Sequence, residues 1–301
     1  DLLKFKDLNY PNFEILIVCD QKVALSRFKK IKVKLILTGQ FNTGPAEKRD
    51  IALKHAKGEF CAFIDDDAYP HPDWLKNAIE DFRELDIIAV GGPGITPPRD
   101  EYWEQMAGLV YESLLCSGGA QHRFLPAKPR YTQDWPAYNL FVRTAILKRV
   151  GGYGNDFYGG EDTFLCLKLI RVGKIYYDPK VIIYHHRRRL FGPLLKQIFN
   201  VGVHRGYFAK KFPETSRQLF YFLPSILTIA LISLLIGSVF HNGIRLLFTI
   251  LFLFFWILGS ISIFSKTNLK SALLVGLGII STHLTYGAGF IKGLLISNLT
   301  S

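Results

Sequence analysis

Short apolar runs alternate with helically patterned segments as far as residue 90. Glu14 to Cys19 (EILIVC), Val33 to Thr38 (VKLILT), Phe60 to Ile64 and Ile87 to Val90 read as strands, and Ala46 to Lys57 and Pro72 to Leu85 as helices. Strands interleaved with helices of this length predict an open, mostly parallel α/β sheet, whose ligands bind beyond the carboxyl ends of its strands. Asp20 and Asp65 to Asp67 stand at two such ends. The pattern then loosens into a helical stretch near Tyr102 to Cys116 and an aromatic, proline-punctuated segment from Tyr131 to Phe141. A glycine-rich loop (Gly151-Gly152-Tyr153-Gly154, then Gly159-Gly160) leads into Glu161-Asp162 and an apolar helix through Val172, and Val181 to Tyr184 is strand-like.

Beyond residue 218 the pattern changes. Three apolar runs, 219–240, 246–264 and 272–296, approach or exceed the roughly 20 residues that cross a hydrocarbon core. All 25 acidic residues precede them, and only Arg245, Lys266, Lys270 and Lys292 carry charge. The expectation is three transmembrane helices in a region 219–301. Residues 190–218, amphipathic, basic and aromatic, are expected to lie in the membrane interface. Lys210, Lys211 and Arg217 precede the first run, Arg245 alone follows it, and Lys266 and Lys270 follow the second. The positive-inside rule then places the N-terminal part in the cytoplasm and the end of the third run outside. His283 and Tyr286 are polar exceptions in that run, read either as helix–helix hydrogen-bonding groups or as the lining of a lipid path.

Of 37 basic residues, the four just named lie in the apolar region, leaving 33 against 25 acidic ones before it. The surplus is concentrated next to the spans (Arg187, Arg188, Arg189, Lys196, Arg205, Lys210, Lys211, Arg217), which suits anionic headgroups or a pyrophosphate rather than nucleic acid. Cys19, Cys61, Cys116 and Cys166 are widely spaced, as reduced core cysteines are. The chain opens on Asp1-Leu2-Leu3-Lys4, which resembles a helix end, and its only methionine is Met106, so it reads as truncated at its start.

The chemistry concentrates in Asp65-Asp66-Asp67. Three carboxylates at a strand tip are costly unless a cation sits there, and Mg²⁺ or Mn²⁺ bridging to a phosphate is the natural one. The other reading is a solvated turn that caps the following helix. Glu161-Asp162 carries the same ambiguity, because carboxylates in a first helical turn are favoured by the helix dipole. His185 and His186 are adjacent on a strand and point to opposite faces, which argues against a shared metal. With Arg187 to Arg189 they are read as contacts to a donor or lipid phosphate.

Taken in order, these segments resemble glycosyltransferase family 2, the inverting transferases of GT-A fold. The resemblance covers about residues 5–190. It rests on Leu8-Asn9-Tyr10-Pro11-Asn12-Phe13-Glu14 with Ile15 to Asp20, on Pro45 to Asp50 through Ala56-Lys57-Gly58-Glu59, on Phe63-Ile64-Asp65-Asp66-Asp67 at the DXD position, on Pro136-Ala137-Tyr138-Asn139 with Arg143 and Gly151-Gly152-Tyr153, and on Gly160-Glu161-Asp162 at the ED position. It departs in lacking the family's opening strand and in having Cys19-Asp20 where paired aspartates are usual.

The resemblance implies an α/β GT-A (Rossmann-like) domain over 1–189, ahead of the interfacial segment and an all-α membrane region. It implies a nucleotide-diphosphate sugar donor, with Asp20, Arg49, Asp65 and Asp66 beside it, and a divalent cation, Mn²⁺ or Mg²⁺, on Asp65 and Asp67. Asp162 would be the general base, with Glu161 its neighbour. Trp135, Tyr138, Asn139, Arg187, His204 and Arg205 are assigned to a lipid-linked or glycan acceptor or its phosphate. Trp135 and Tyr138 read equally as sugar platforms or core aromatics. A processive polysaccharide synthase and a non-catalytic membrane scaffold are the alternatives.

Overall fold

A computed structural model of the chain describes residues 2–23, 32–154 and 159–299; Asp1, Thr300 and Ser301 of the expected domain bounds lie outside them. The strands are β1 (Ile15–Cys19), β2 (Val33–Leu37), β3 (Phe60–Ile64), β4 (Ala68–Pro70), β5 (Ile87–Gly91), β6 (Gly94–Ile95), β7 (Arg130–Thr132), β8 (Asn139–Arg143), β9 (Lys174–Tyr177) and β10 (Ile183–His185). The α-helices are α1 (Pro45–His55), α2 (Trp74–Asp81), α3 (Tyr102–Glu112), α4 (Leu114–Ser117), α5 (Thr144–Arg149), α6 (Glu161–Leu169), α7 (Gly192–Lys211), α8 (Pro213–Ser216), α9 (Leu219–Phe240), α10 (Asn242–Ile261) and α11 (Leu269–Leu295). The chain divides into two units, Asp1–Ile95 with Leu125–His185, and Thr96–Phe124 with His186–Thr300.

The first unit is a mixed α/β domain. Its five-stranded sheet has the order β3-β8-β5-β9-β7, and only β5 and β9 pair in parallel within it. The expected mostly parallel sheet is therefore corrected. β8 returns antiparallel between β3 and β5, which a right-handed crossover would otherwise have made neighbours. β1 and β2 pair in parallel as a ladder of their own among the described residues. Alternation along β8 shows why its run is continuously apolar: Leu140 and Val142 join one core layer with α5 and α6, while Phe141 joins the other with α2. A strand covered on both faces has no polar side to show.

A third, small sheet has β10 between β4 and β6. β4 runs antiparallel to β10 with Ala68 opposite His185, so the turn that holds Asp67 is delivered to the end of β10.

At the last turn of α2, partial burial and then the neighbouring Asp178 carboxylate push Asp81 up to about 7. A carboxyl raised in the folded state binds more protons folded than unfolded, so stability falls as pH rises from about 4 to about 7. Asp81→Asn is expected to flatten that slope in thermal melts of the detergent-purified chain.

The second unit is all-α. Three of its helices are long and apolar enough to cross a membrane: α9, α10 with its 3-10 extension to Lys266, and α11. Met106, Val110, Leu194, Ile198, Val275 and Ile279 form part of its core. α7 packs on α11 through glycines. A Cβ on Gly202 would come within 3.0 Å of the Phe290 nitrogen, and one on Gly206 within 3.1 Å of the Leu294 nitrogen.

Candidate active site

Helix α1 organises the site of the first unit from three consecutive residues. Lys48 Nζ pairs with Asp20 at 3.0 Å beyond the tip of β1. Arg49 bridges two carboxylates, Glu161 at 2.7 Å and Asp65 at 3.2 Å, with its guanidinium 5.3 Å from the centre of the Tyr153 ring. Asp50 accepts the backbone N–H groups of Tyr153 and Gly154 at 2.7 and 2.8 Å. The glycine loop is thereby pinned to α1. Gly152 has φ +60° and faces the Asp50 carboxylate with no room for a Cβ, so this turn accepts no other residue without strain.

Asp65, Asp67 and His185 each offer one ligand atom, and these atoms all lie within 4.8 Å of one another. His185 Nε2 is 2.9 Å from Asp67 Oδ1, and its ring is 5.0 Å from that of Tyr138. Two carboxylates and an imidazole fit Mn²⁺, and more weakly Mg²⁺, whose preference is for oxygen. Burial, and then the Asp67 and Glu161 carboxylates, hold the Asp65 carboxyl above its usual range against the pull of Arg49 and His185, although its side chain keeps 37% exposure on one side. Asp66 points to solvent. At Asp20, the side chains of Thr43, Lys48 and Thr38 hold the carboxyl well below the usual range.

Asp162 opens α6. Its Oδ1 accepts the Thr163 N–H at 2.8 Å and its Oδ2 the Ala137 N–H at 3.3 Å. Its recessed position, then the carboxylates of Glu161 and Asp134, push it up to about 6. Glu161, 7% exposed, is committed to Arg49 and to the Gly159 N–H. Thus the two neighbours differ: one carboxylate is neutralised by an arginine, and the other is left with a raised proton affinity.

The remaining assignments divide. Trp135 is 0% exposed, its ring lies 5.1 Å from that of Tyr177, and the space a Cβ on Gly91 would need is filled by it. It is a core aromatic and no platform for a sugar. Trp135→Ala is expected to cost about 3–5 kcal/mol, read as a drop in melting temperature. Asn139 is likewise corrected: fully buried, its amide donates to Val181 O and Pro93 O and accepts from Trp74 Nε1 at 2.8 Å, stitching β8 to its neighbours. Arg187, 8% exposed, lies against the stacked Tyr111 and Phe124 rings inside the second unit and donates to Thr96, so it is not an open phosphate clamp. His204 and Arg205 lie on α7, the former bonded to the Asn200 carbonyl and the latter to Ser216. Tyr138 stays beside His185.

His185 and His186 do face apart, the second pairing with Asp100 at 2.6 Å. The sequence reading missed Lys48, Asp50 and Asp134, and took His185 for a phosphate contact where the structure groups it with Asp65 and Asp67. The only signal for the first two was their adjacency to Arg49.

The description "Glycosyl transferase family 2" matches residues 2–146. A dolichyl N-acetyl-alpha-D-glucosaminyl phosphate 3-beta-D-2,3-diacetamido-2,3-dideoxy-beta-D-glucuronosyltransferase of Methanococcus voltae is 26% identical over 260 residues, 82% of this chain and 74% of that protein. Pre-mycofactocin glycosyltransferases from two strains of Mycobacterium tuberculosis are 28% identical over 172 residues, 56% of this chain; the chain spans 35% of their length. The mannosyltransferase PcManGT from Pyrobaculum calidifontis, solved in complex with GDP-Man and Mn2+, has a TM-score of 0.61 at 18% identity over 99% of this chain and 83% of its own, a likeness of fold. Residues 2–146 thus match the glycosyl transferase family 2 model, and the mixed α/β domain that carries the acidic group at the β3 tip shares the fold of a solved transferase.

Proposed function

We propose that the chain transfers a sugar from a nucleotide-diphosphate donor to a lipid-linked or glycan acceptor, inverting the anomeric centre, at the cytoplasmic face of a membrane. The observation that carries this reading is Arg49. By bridging Asp65 and Glu161 it joins the candidate cation group and the carboxylate pair into one site.

In this reading Asp65, Asp67 and His185 would hold the cation, whose charge would offset that of the departing diphosphate. Asp162 takes the proton of the acceptor hydroxyl. The acceptor oxygen forms its bond to the anomeric carbon as the carbon–oxygen bond to the diphosphate breaks, its electron pair leaving with the nucleotide. A base with a proton affinity near 6 is ionised at neutral pH yet basic enough to assist. Glu161, fixed by Arg49, positions the start of α6. Asp20 and its lysine lie at the β1 tip, where the family resemblance puts the nucleotide. The Methanococcus relative, named for a dolichyl phosphate-linked acceptor, and the apolar helices favour a lipid-borne acceptor.

Release of nucleoside diphosphate from a panel of sugar nucleotides, with Mn²⁺ or Mg²⁺ and membrane extracts as acceptor source, tests the proposal. Sugar-dependent release with single additions is expected. Long products would favour a processive synthase, and nucleotide binding without turnover would favour a scaffold.

A further inference from the structure

We infer that, among the described helices, the bilayer is crossed only by the helical hairpin α9–α10, and that α11, the third helix long enough to span, lies across the hairpin's base on one membrane face, paired with α7. The inference rests on the reading of this unit as membrane-embedded.

The contacts of α11 fix its course. Its first half meets the end of α10: Trp256 Nε1 donates to Leu273 O at 2.8 Å, and a Cβ on Gly276 would come within 3.0 Å of the Ser260 nitrogen. Its second half meets the beginning of α9: the Phe222 and Phe290 rings are 4.8 Å apart, and a Cβ on Gly287 would come within 2.6 Å of the Pro224 carbonyl oxygen. The hairpin tip is elsewhere, where Gly237 faces Ile244. A third span would run from the end of α10 up to that tip. α11 instead begins and ends at the two open ends of the hairpin. A cavity of about 110 Å³ between α9, α10 and α11 is lined by Leu227, Leu231, Phe252, Phe255 and Ile279, among others.

Exposure agrees. Leu223, Ile232, Leu235, Leu246, Ile250 and Phe254 are among many large apolar side chains that α9 and α10 present outward. In residues 271–291 of α11, all described, Ala288 alone is exposed. Leu273, Leu277, Leu284 and Ile291 are only partly exposed, so α11 offers lipid tails a far narrower apolar face than α9 and α10 do. Its glycines meet protein backbone instead: a Cβ on Gly293 would lie 2.8 Å from the Tyr207 nitrogen.

The partnership with α7 gives the energetic argument. Leu190 meets Gly278, Gly202 meets Phe290, Gly206 meets Leu294, and Lys210 Nζ donates to Ile296 O, so the two helices run side by side in the same direction. An α11 that crossed the bilayer would draw α7 in with it. Lys196, Gln197 and Asn200 are exposed on α7, and a lysine at the bilayer centre costs roughly 2.5–3.5 kcal/mol even on the most lenient scale.

Dimensions and charge then fall into place. α9 and α10 have 22 and 20 residues, each about 30 Å long, the thickness of a hydrocarbon core. Lys210, Lys211, Arg217, Lys266, Lys270 and Lys292 all belong to the base, against Arg245 at the tip. That asymmetry puts the base in the cytoplasm.

Single cysteines at Glu214, Asn242 and Asn298, all exposed, introduced into the full chain with Cys19, Cys61, Cys116 and Cys166 replaced by serine, report the sidedness. Labelling by a membrane-impermeant maleimide in intact and permeabilised cells is expected to place positions 214 and 298 on one side and 242 on the other. Position 298 on the side of 242 overturns the hairpin and restores three spans. All three positions on one side overturn the membrane reading itself. Should the cysteine-free chain not accumulate, epitope insertions after Asn242 and after Ser297 of the native chain, read by antibody before and after permeabilisation, give the same discrimination.

Discussion

Asp162→Asn is expected to lower turnover about a thousandfold, within the range that general-base catalysis supplies, while nucleotide binding stays within about twofold. The amide keeps the size of the carboxylate and can still accept the Thr163 N–H, so α6 should start as before. What it loses is the ability to take a proton. The pH profile discriminates this from a structural defect. With the carboxyl pushed up to about 6, first by its recessed position and then by Glu161 and Asp134, the wild-type rate should rise as pH increases through about 6 and then level. The Asn variant's residual rate should lack that rise. Asp134→Asn removes one of the carboxylates that raise the proton affinity, so it should move the rise to lower pH. A rise unmoved by either change would assign the base elsewhere.

The second large effect is expected at the cation group. Asp67→Ala and His185→Ala should each weaken Mn²⁺ binding, measured by electron paramagnetic resonance on the detergent-purified chain, by about a hundredfold or more. Removing even an outer partner of a metal ligand costs 10–100-fold, and these residues offer ligand atoms directly. Removal of the imidazole should further shift the preference from Mn²⁺ toward Mg²⁺, because oxygen donors alone remain. Asp66→Ala, at a carboxylate that points to solvent, should leave Mn²⁺ affinity unchanged and serves as the control. Equal loss in all three variants would mean that general acidity, and not a built site, attracts the ion.

Much of this was legible in the chain. The strands β1, β2, β3 and β5 and the helices α1, α2 and α6 follow from period and punctuation, and the strand-tip aspartates and Glu161-Asp162 stand out because clustered charge beside apolar runs demands a partner. β8 escaped because a strand buried on both faces carries no alternation, β9 because its four residues are too few to show one, and Asn139 reads as a site residue because a buried amide and a ligand-binding one are written with the same letter. Only the fold shows that Trp74 Nε1 and two carbonyls use up its hydrogen bonds. Trp135 was equally ambiguous until its burial was known.

Which segments are apolar, where charge is forbidden and which carboxylates must find a counter-charge are properties of residues in order and can be read without coordinates. Tertiary structure alone decided which counter-charge each one found. Arg49 reaches Glu161 across 112 positions of chain, and His185 reaches Asp67 across 118. Such pairs arise from the register of β4 on β10 and from the face that α1 turns inward, and neither leaves a periodic trace. The same holds for α11: hydropathy says how long a helix could stretch through lipid, but only its partners at both ends say which way it runs.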